Sequence, residues 1–194
     1  MTKPVGVILA GGLSRRMGAE KAFVTLRGRP LLSHLTDILR PQVDALAINA
    51  NGDPARFSTW GLPMIGDAVP GAQGPLAGIL AALRWAQAPV VSAPVDTPFL
   101  PTDLVARLEA VFAQEGTEVV MASRRGQLQP VITLWSPAVA DGIAQALADG
   151  ARGVEAFARS KKWAVALFDD GPDPFFNINT PDDLVAAEAR SILT

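Results

Sequence analysis

VGVILAGGLSRRMGAEK, running from Val5 to Lys21, decides the fold. Its first six residues, Val5–Ala10, are an unbroken apolar run, the pattern of a strand covered on both faces. Two glycines then stop the strand, and a polar, basic loop carries the chain to Lys21. Glycines at the carboxyl end of a strand let backbone amides approach a phosphate closely. In open α/β sheets that edge is where ligands bind. Arg15, Arg16 and Lys21 add positive charge around the loop, which suits a polyphosphate better than a neutral metabolite. Two familiar phosphate loops fail on spacing. A Walker loop needs GxxxxGK[ST], and the frame from Gly12 reads GLSRRM without the closing GK pair. A dinucleotide fingerprint needs GxGxxG, which Gly11-Gly12-Leu13 breaks.

Outward from this segment, short apolar runs alternate with helical patterns. PLLSHLTDIL (Pro30–Leu39) reads as a helix with proline in its first turn and Pro41 just beyond its end. ALAINAN (Ala45–Asn51) and LPMIGD (Leu62–Asp67) read as strands, and GPLAGILAALRWAQA (Gly74–Ala88) as a helix. PVVSAPVD (Pro89–Asp96) is another strand, followed by the amphipathic stretch Leu104–Glu115. EVVMAS (Glu118–Ser123) and PVITLW (Pro130–Trp135) flank the polar segment RRGQLQ as two further strands. Helices at Pro137–Leu147 and Val154–Arg159 and a strand at Trp163–Phe168 follow. The last helix starts at TPDDL, with Thr180 as cap, Pro181 in the first position, and Asp182 and Asp183 favouring the dipole. Repeated βα units predict an α/β fold: a single Rossmann-like domain over residues 1–194, with a mostly parallel central sheet and helices on both faces.

Composition narrows the chemistry. The chain has 194 residues, 49% of them apolar, ample for one core. A net charge of −2 gives no sign of the clustered basic face that nucleic acid needs, so no nucleic-acid partner is expected. The N-terminus resembles neither a signal peptide nor a membrane span, so a cytoplasmic location with no membrane partner is expected. Cysteine is absent, which removes disulfides, thiol nucleophiles and thiolate metal sites. His34, the one histidine, falls within a helix pattern and reads as a helix-face residue. Carboxylates, lysine, arginine and backbone amides must therefore carry any catalysis.

Asp96 ends a buried strand before a Thr97-Pro98 turn, placing its carboxylate at the edge occupied by the glycine loop. Magnesium is commonly held by one or two carboxylates plus substrate phosphates. Asp67 ends LPMIGD in the equivalent position, read here as a neighbouring strand. Two acids facing a basic glycine loop favour metal and nucleotide contact. Asn49 and Asn51 suit a base or ribose and equally a turn. Arg124 and Arg125 suit a ligand contact and equally a solvated hairpin. Of the four tryptophans, Trp60, read as part of a loop before Gly61, is expected to be the exposed one.

LAGGLSRRMGAEK, GPLAG (Gly74–Gly78) and PVDTPFL (Pro94–Leu100) together resemble the molybdenum cofactor guanylyltransferases, of the wider nucleotidyltransferase fold. The first motif fits the family form LAGGxSxRMGxxK at every fixed position. INAN, IGD and NINTPDDL (Asn177–Leu184) extend the match in order along almost the full chain. The resemblance implies transfer of GMP from GTP to the terminal phosphate of molybdenum-molybdopterin, with magnesium as cofactor. It implies a nucleotide site from Leu9, Ala10, Gly11 and Gly12, with Lys21 on phosphate, Asn49 and Asp67 on the nucleoside, and Asp96 on magnesium. Lys21, Arg16 and Asp96 would act in catalysis, Arg16 matching the fixed arginine of the motif. The N-terminal half would bind nucleotide, and the C-terminal half, including Pro130, Asn177 and Asn179, would face the pterin. The resemblance further implies proteins that deliver or receive the cofactor as partners.

Other readings fit less well. Cytidylyltransferases acting on the same pterin tend to carry alanine where Gly11 stands and lack GPLAG. Sugar-phosphate nucleotidyltransferases usually read LAAGxGxR in the loop. A catalytically silent nucleotide-binding module of the same fold would be expected to lose Lys21 or Asp96, and both are present. A redox protein is disfavoured by the glycine spacing.

Overall fold

The computed structural model describes residues 3–11, 20–69, 74–114 and 116–190. The chain opens with β1 (Val5–Leu9), the short strands β2 (Thr25–Leu26) and β3 (Arg29–Pro30), α1 (Leu31–Leu39) and β4 (Leu46–Asn49). Next come β5 (Met64–Ile65), α2 (Pro75–Ala86), β6 (Val90–Pro94), α3 (Leu104–Phe112), β7 (Val119–Arg124) and β8 (Gln127–Trp135). The remainder is α4 (Ala140–Ala148), α5 (Val154–Arg159), β9 (Trp163–Leu167) and α6 (Pro181–Ala189). Among the described residues, seven strands form one sheet in the order β5-β4-β1-β6-β8-β7-β9, and β2 pairs with β3 apart from it. β8 runs antiparallel to both neighbours; the other pairings in the large sheet are parallel.

The two-residue period of the strands assigns side chains to two cores. In β1, Ile8 joins the layer formed with α1 and α3, through Leu32, Leu35, Leu104 and Leu108. Val7 and Leu9 point the other way, toward Leu76, Leu80, Ile143 and Phe157 of α2, α4 and α5. Both faces of β1 are covered, which is why its sequence is apolar throughout. Each fully buried Leu or Ile contributes about 1.5–3 kcal/mol by leaving water.

The order of connections positions the site. From β1 the chain crosses by α1 to β4 on one side, then by α2 to β6 on the other. Strand order therefore reverses between β1 and β6, and the crevice beyond their carboxyl ends is the ligand position of such sheets.

The segment RRGQLQ belongs to the strands rather than lying between them. Only Arg125 and Gly126 turn, with φ of 48° and 78°, the two positive values of a two-residue hairpin matched to strand twist. Farther along, Met121 pairs with Thr133 but Ala122 pairs with Gln129, so β8 bulges over residues 130–132, beginning at Pro130. Proline has no N–H to donate, and a bulge is where a ladder tolerates it.

Buried polar groups find partners. Trp135 Nε1 donates to Ser92 Oγ (3.0 Å), which donates to Val131 O (2.7 Å). His34 Nε2 donates to Leu26 O (3.0 Å), tying α1 to the β2–β3 hairpin. Trp60 is half-buried against Phe23 and Phe57, its indole donating to Ser33 Oγ, because Pro54–Trp60 forms a 3-10 helix rather than a loose loop. The exposed tryptophan is instead Trp85, at the end of α2. No helix among the described residues is long and apolar enough to cross a membrane.

Candidate active site

β1, β4, β5 and β6 bring the marked residues to one edge. Leu9 and Ala10 are buried at the end of β1, and Gly11 follows, exposed. Gly12 and Arg16 lie outside the described residues. Asn49 closes β4 and is buried; its Nδ2 donates to Ile65 O and to Asp67 Oδ1, each at 3.1 Å. Asn51, two residues on, donates to Asp67 Oδ2 (2.6 Å) and accepts from Asp67 N (3.0 Å). Asp67 is thus clasped by two asparagines, Asn49 and Asn51.

Asp67 and Asp96 do not end neighbouring strands. β5, which precedes Asp67, is separated from β6 by β4 and β1. The acids therefore stand three strand positions apart along the edge, and Asp96 is the one beside the switch point.

Lys21 returns from the glycine loop to that point. Its ammonium sits 2.5 Å from Asp96 Oδ2 and also donates to Asn179 Oδ1. Both charged side chains are largely screened from solvent, at 22% and 16% exposed. Asn179 comes from far along the chain through an extended Asn-Ile-Asn segment. Ile178 is fully buried and its N–H donates to Asp96 O (2.9 Å), so Asn177 and Asn179, one residue to either side, face outward.

Asn177 lines a cavity of about 510 Å³ together with Arg124, Arg125, Gln127, Gln129 and Phe176. Pro130 and Asn179 do not line it: Pro130 shapes the bulge, and Asn179 engages Lys21. Arg124 is committed to the protein, its guanidinium donating to the carbonyls of Phe168, Asp170, Gly171 and Pro172. Arg125 is exposed at the hairpin tip, where its backbone N–H donates to Asp169 Oδ1 (2.5 Å).

A family model described as the MobA-like NTP transferase domain matches residues 6–165. The chain belongs to this family. The molybdenum cofactor guanylyltransferase of Cereibacter sphaeroides is 50% identical over 189 residues, covering 95% of each chain. That of Rhodopseudomonas palustris (strain BisB5) is 46% identical over 191 residues, covering 94% of this chain and 91% of its own. The crystal structure of molybdopterin-guanine dinucleotide biosynthesis protein A from Archaeoglobus fulgidus superposes with a TM-score of 0.82 at 27% identity, covering 95% and 96% of the two chains. In fold alone, the 2-C-methyl-D-erythritol 4-phosphate cytidylyltransferase of Thermus thermophilus is also similar, with a TM-score of 0.68 at 23% identity and coverage of 97% and 98%. The chain is therefore a nucleotidyltransferase, built on the α/β architecture its sequence predicts.

In this MobA-like chain the start of α6 supports Asn179. Asp183 Oδ2 accepts from Asn179 N (2.9 Å) and Thr180 N (2.8 Å), and Thr180 Oγ1 accepts from Asp183 N, completing a capping box. The Asn179 N–H, followed by the Thr180 hydroxyl, holds the Asp183 carboxyl below the usual aspartate range. A folded-state value below the unfolded one gives stability that is present above the unfolded pKa and lost as pH falls through the folded one. Asp183→Asn is accordingly expected to melt below the wild type at neutral pH. The gap should begin to narrow below about pH 4, where an ordinary aspartate protonates, and close once the folded-state carboxyl protonates as well. Melting curves taken across that range check this, and a gap that stays constant would contradict it.

Two features of the site were not read from the sequence. Gly78, in the first turns of α2, lies so close to Asn49 that a Cβ there would meet Asn49 Oδ1 at 2.0 Å. Arg56 contacts both Glu20 and Asn51. GPLAG marked the first region; the capping pair Asp53-Pro54 was the available sign of an ordered helix carrying the second.

Proposed function

We propose that this protein transfers GMP from GTP to the terminal phosphate of molybdenum-molybdopterin, releasing pyrophosphate. The observation that carries this reading is the convergence of Lys21, Asp96 and Asn179 at the switch point, with the Asn49–Asp67–Asn51 cluster on the same edge. A nucleoside held at the cluster would direct its phosphates along the edge toward Lys21. The cavity bearing Asn177 then supplies the acceptor site, since Asn177 and Asn179 are two residues apart in one extended segment, roughly 7 Å. One catalytic unit follows, its N-terminal half taking the nucleotide and its C-terminal half the pterin.

An oxygen of the acceptor phosphate forms a bond to the α-phosphorus of GTP as the bond from that phosphorus to the β-phosphate bridge breaks. The nucleophile is already an anion, so no side-chain base is required, in keeping with the one histidine being buried and bonded to Leu26 O. Leu9 and Ala10 form the buried floor of the nucleotide site, the Ala10 N–H being taken by Asn49 O, and the exposed Gly11 just beyond them would meet the phosphates with its backbone amide. Lys21 neutralises charge that develops on the departing pyrophosphate, and Asn179 holds the Lys21 ammonium in place. Arg16, the fixed arginine of the loop motif, adds a second cation to the same role.

Nucleotidyltransferases of this kind suggest a divalent metal, and Asp96 is the carboxylate placed to hold one. Among the described residues no group of three or more histidines or carboxylates gathers at one point. A single carboxylate suits magnesium, which commonly arrives with its phosphates and keeps several waters. Such an ion would supply charge stabilisation at the phosphates.

Pyrophosphate release from purified protein, metal-loaded molybdopterin and magnesium, compared across GTP, CTP, ATP and UTP, tests the reading. Release with GTP alone, dependent on the pterin, is expected. A preference for CTP would keep the reaction and overturn the base, and no release with any nucleotide would overturn the acceptor.

A further inference from the structure

Arg56 lies outside every motif read from the sequence, yet it joins the two ends of the nucleotide edge. It sits on the Pro54–Trp60 helix, capped by Asp53, whose carboxylate accepts from Ala55 N (2.9 Å). One arm of its guanidinium donates to Glu20 Oε2 (2.6 Å), directly before Lys21 in the chain. The other arm donates to Asn51 O (2.7 Å), and Nε donates to Asp53 O (3.1 Å). Gly52, at φ +95°, turns the chain so that Asn51 and Asp53 can both present carbonyls to one guanidinium. Asn51 is the residue doubly bonded to Asp67.

Beneath this polar bridge, Phe23, Phe57 and Trp60 form a trio with ring centroids 5.4 to 6.2 Å apart. Phe23 belongs to the turn that begins at Lys21, and Phe57 and Trp60 to the helix that bears Arg56. The aromatic contacts press the two segments together without directional specificity. The charged, two-armed arginine adds the direction, because its planar fork fixes the angle between its acceptors.

We infer that Arg56 is a positioning residue that fixes the spacing between the nucleoside cluster (Asn49, Asp67, Asn51) and the phosphate-binding Lys21. This rests on the nucleotide reading above. Two subsites held at the right separation make the second contact of one ligand intramolecular, so GTP gains over its separate parts. Loosen the spacing and that gain falls, while each subsite keeps its own affinity. Arg56 touches no reacting atom; it acts through Asn51 and Glu20. A lone exposed ion pair would have little effect, so the prediction depends on the guanidinium serving both segments.

Equilibrium binding of GTP, guanosine and tripolyphosphate, each with magnesium, to wild type, Arg56→Ala, Arg56→Lys and Glu20→Gln tests the inference. The aromatic trio should keep Arg56→Ala folded. It is expected to bind guanosine and tripolyphosphate as the wild type does, and GTP about five- to tenfold more weakly. Arg56→Lys, which cannot reach both segments with one amine, should fall between. The double variant Arg56→Ala/Glu20→Gln should lose no more than Arg56→Ala alone, as expected for residues acting through one contact. Unchanged GTP affinity in Arg56→Ala overturns the inference, and so does an equal loss for all three ligands, which would mark general damage. If the wild type bound GTP no better than tripolyphosphate, the nucleotide reading itself would fall, whatever the variants did.

Discussion

Alanine at position 96 is expected to lower GTP-dependent pyrophosphate release by about 10²-fold or more, the cost typical of removing one electrostatic group aimed at a transition state. Asp96 is the carboxylate at the β1/β6 switch point, 2.5 Å from the Lys21 ammonium. Its removal should be felt mainly in kcat, because charge on the departing pyrophosphate appears only as the bond breaks. Asp96→Asn keeps the size but not the charge and should fall nearly as far. Folding is expected to survive, since Lys21 retains Asn179 as a partner and avoids becoming an orphaned cation. Asn179→Ala, which leaves the ion pair in place, should cost less than Asp96→Ala. Steady-state rates over a magnesium titration check all three. Near-normal turnover by folded Asp96→Ala would remove Asp96 from the metal and phosphate assignment.

The sheet was legible because its strands are buried on both faces. VGVILA and PVVSAPVD announce themselves as continuous apolar runs, and the helices between them carry proline and capping signals at their starts. Direction was not legible. PVITLW alternates identically whichever way it runs, so nothing in it shows that β8 reverses the sheet. Nor does sequence show which strands are neighbours, and Asp67 and Asp96, similar as strand-end acids, end up separated by two strands.

The same division runs through the site. Residues bunched at strand ends, such as Leu9, Ala10, Gly11 and Asp96, could be placed at an edge from local pattern alone. Contacts spanning the chain could not: Asn179 stands 158 positions from Lys21, and only the folded path of the Asn-Ile-Asn segment brings them together. Arg124 shows the reverse case. As a charge in a polar hairpin it was ambiguous, and the structure commits it to four carbonyls of the loop after β9.

Gly78→Ala is the second change expected to have a large effect, and it runs against helix propensity. In an unconstrained helix interior the substitution favours folding by about 1 kcal/mol. Here the new methyl would stand 2.0 Å from Asn49 Oδ1, 2.6 Å from Asn49 Cγ and 3.0 Å from Leu9 Cδ2. Asn49 can escape only by rotating, which breaks its bonds to Ile65 O and Asp67 Oδ1 inside a buried site. Leaving such groups without partners costs about 1–3 kcal/mol, enough to reverse the gain from propensity. GTP affinity should fall about tenfold or more as the nucleoside cluster loses its geometry. Gly142→Ala in α4 is the matched control, since its methyl would meet the movable tip of Lys161 at 3.0 Å. That variant should be neutral or slightly more stable. The double variant Gly78→Ala/Asn49→Ala separates the two effects: deleting the amide removes its clash and should recover part of the stability, Ile65 O and Asp67 Oδ1 still lacking their donor, but not GTP binding. Urea denaturation and GTP titration on the four proteins decide the matter. Wild-type GTP affinity in Gly78→Ala would mean that Asn49 is not held against α2 for the sake of the nucleotide, and the glycine of GPLAG would need another explanation.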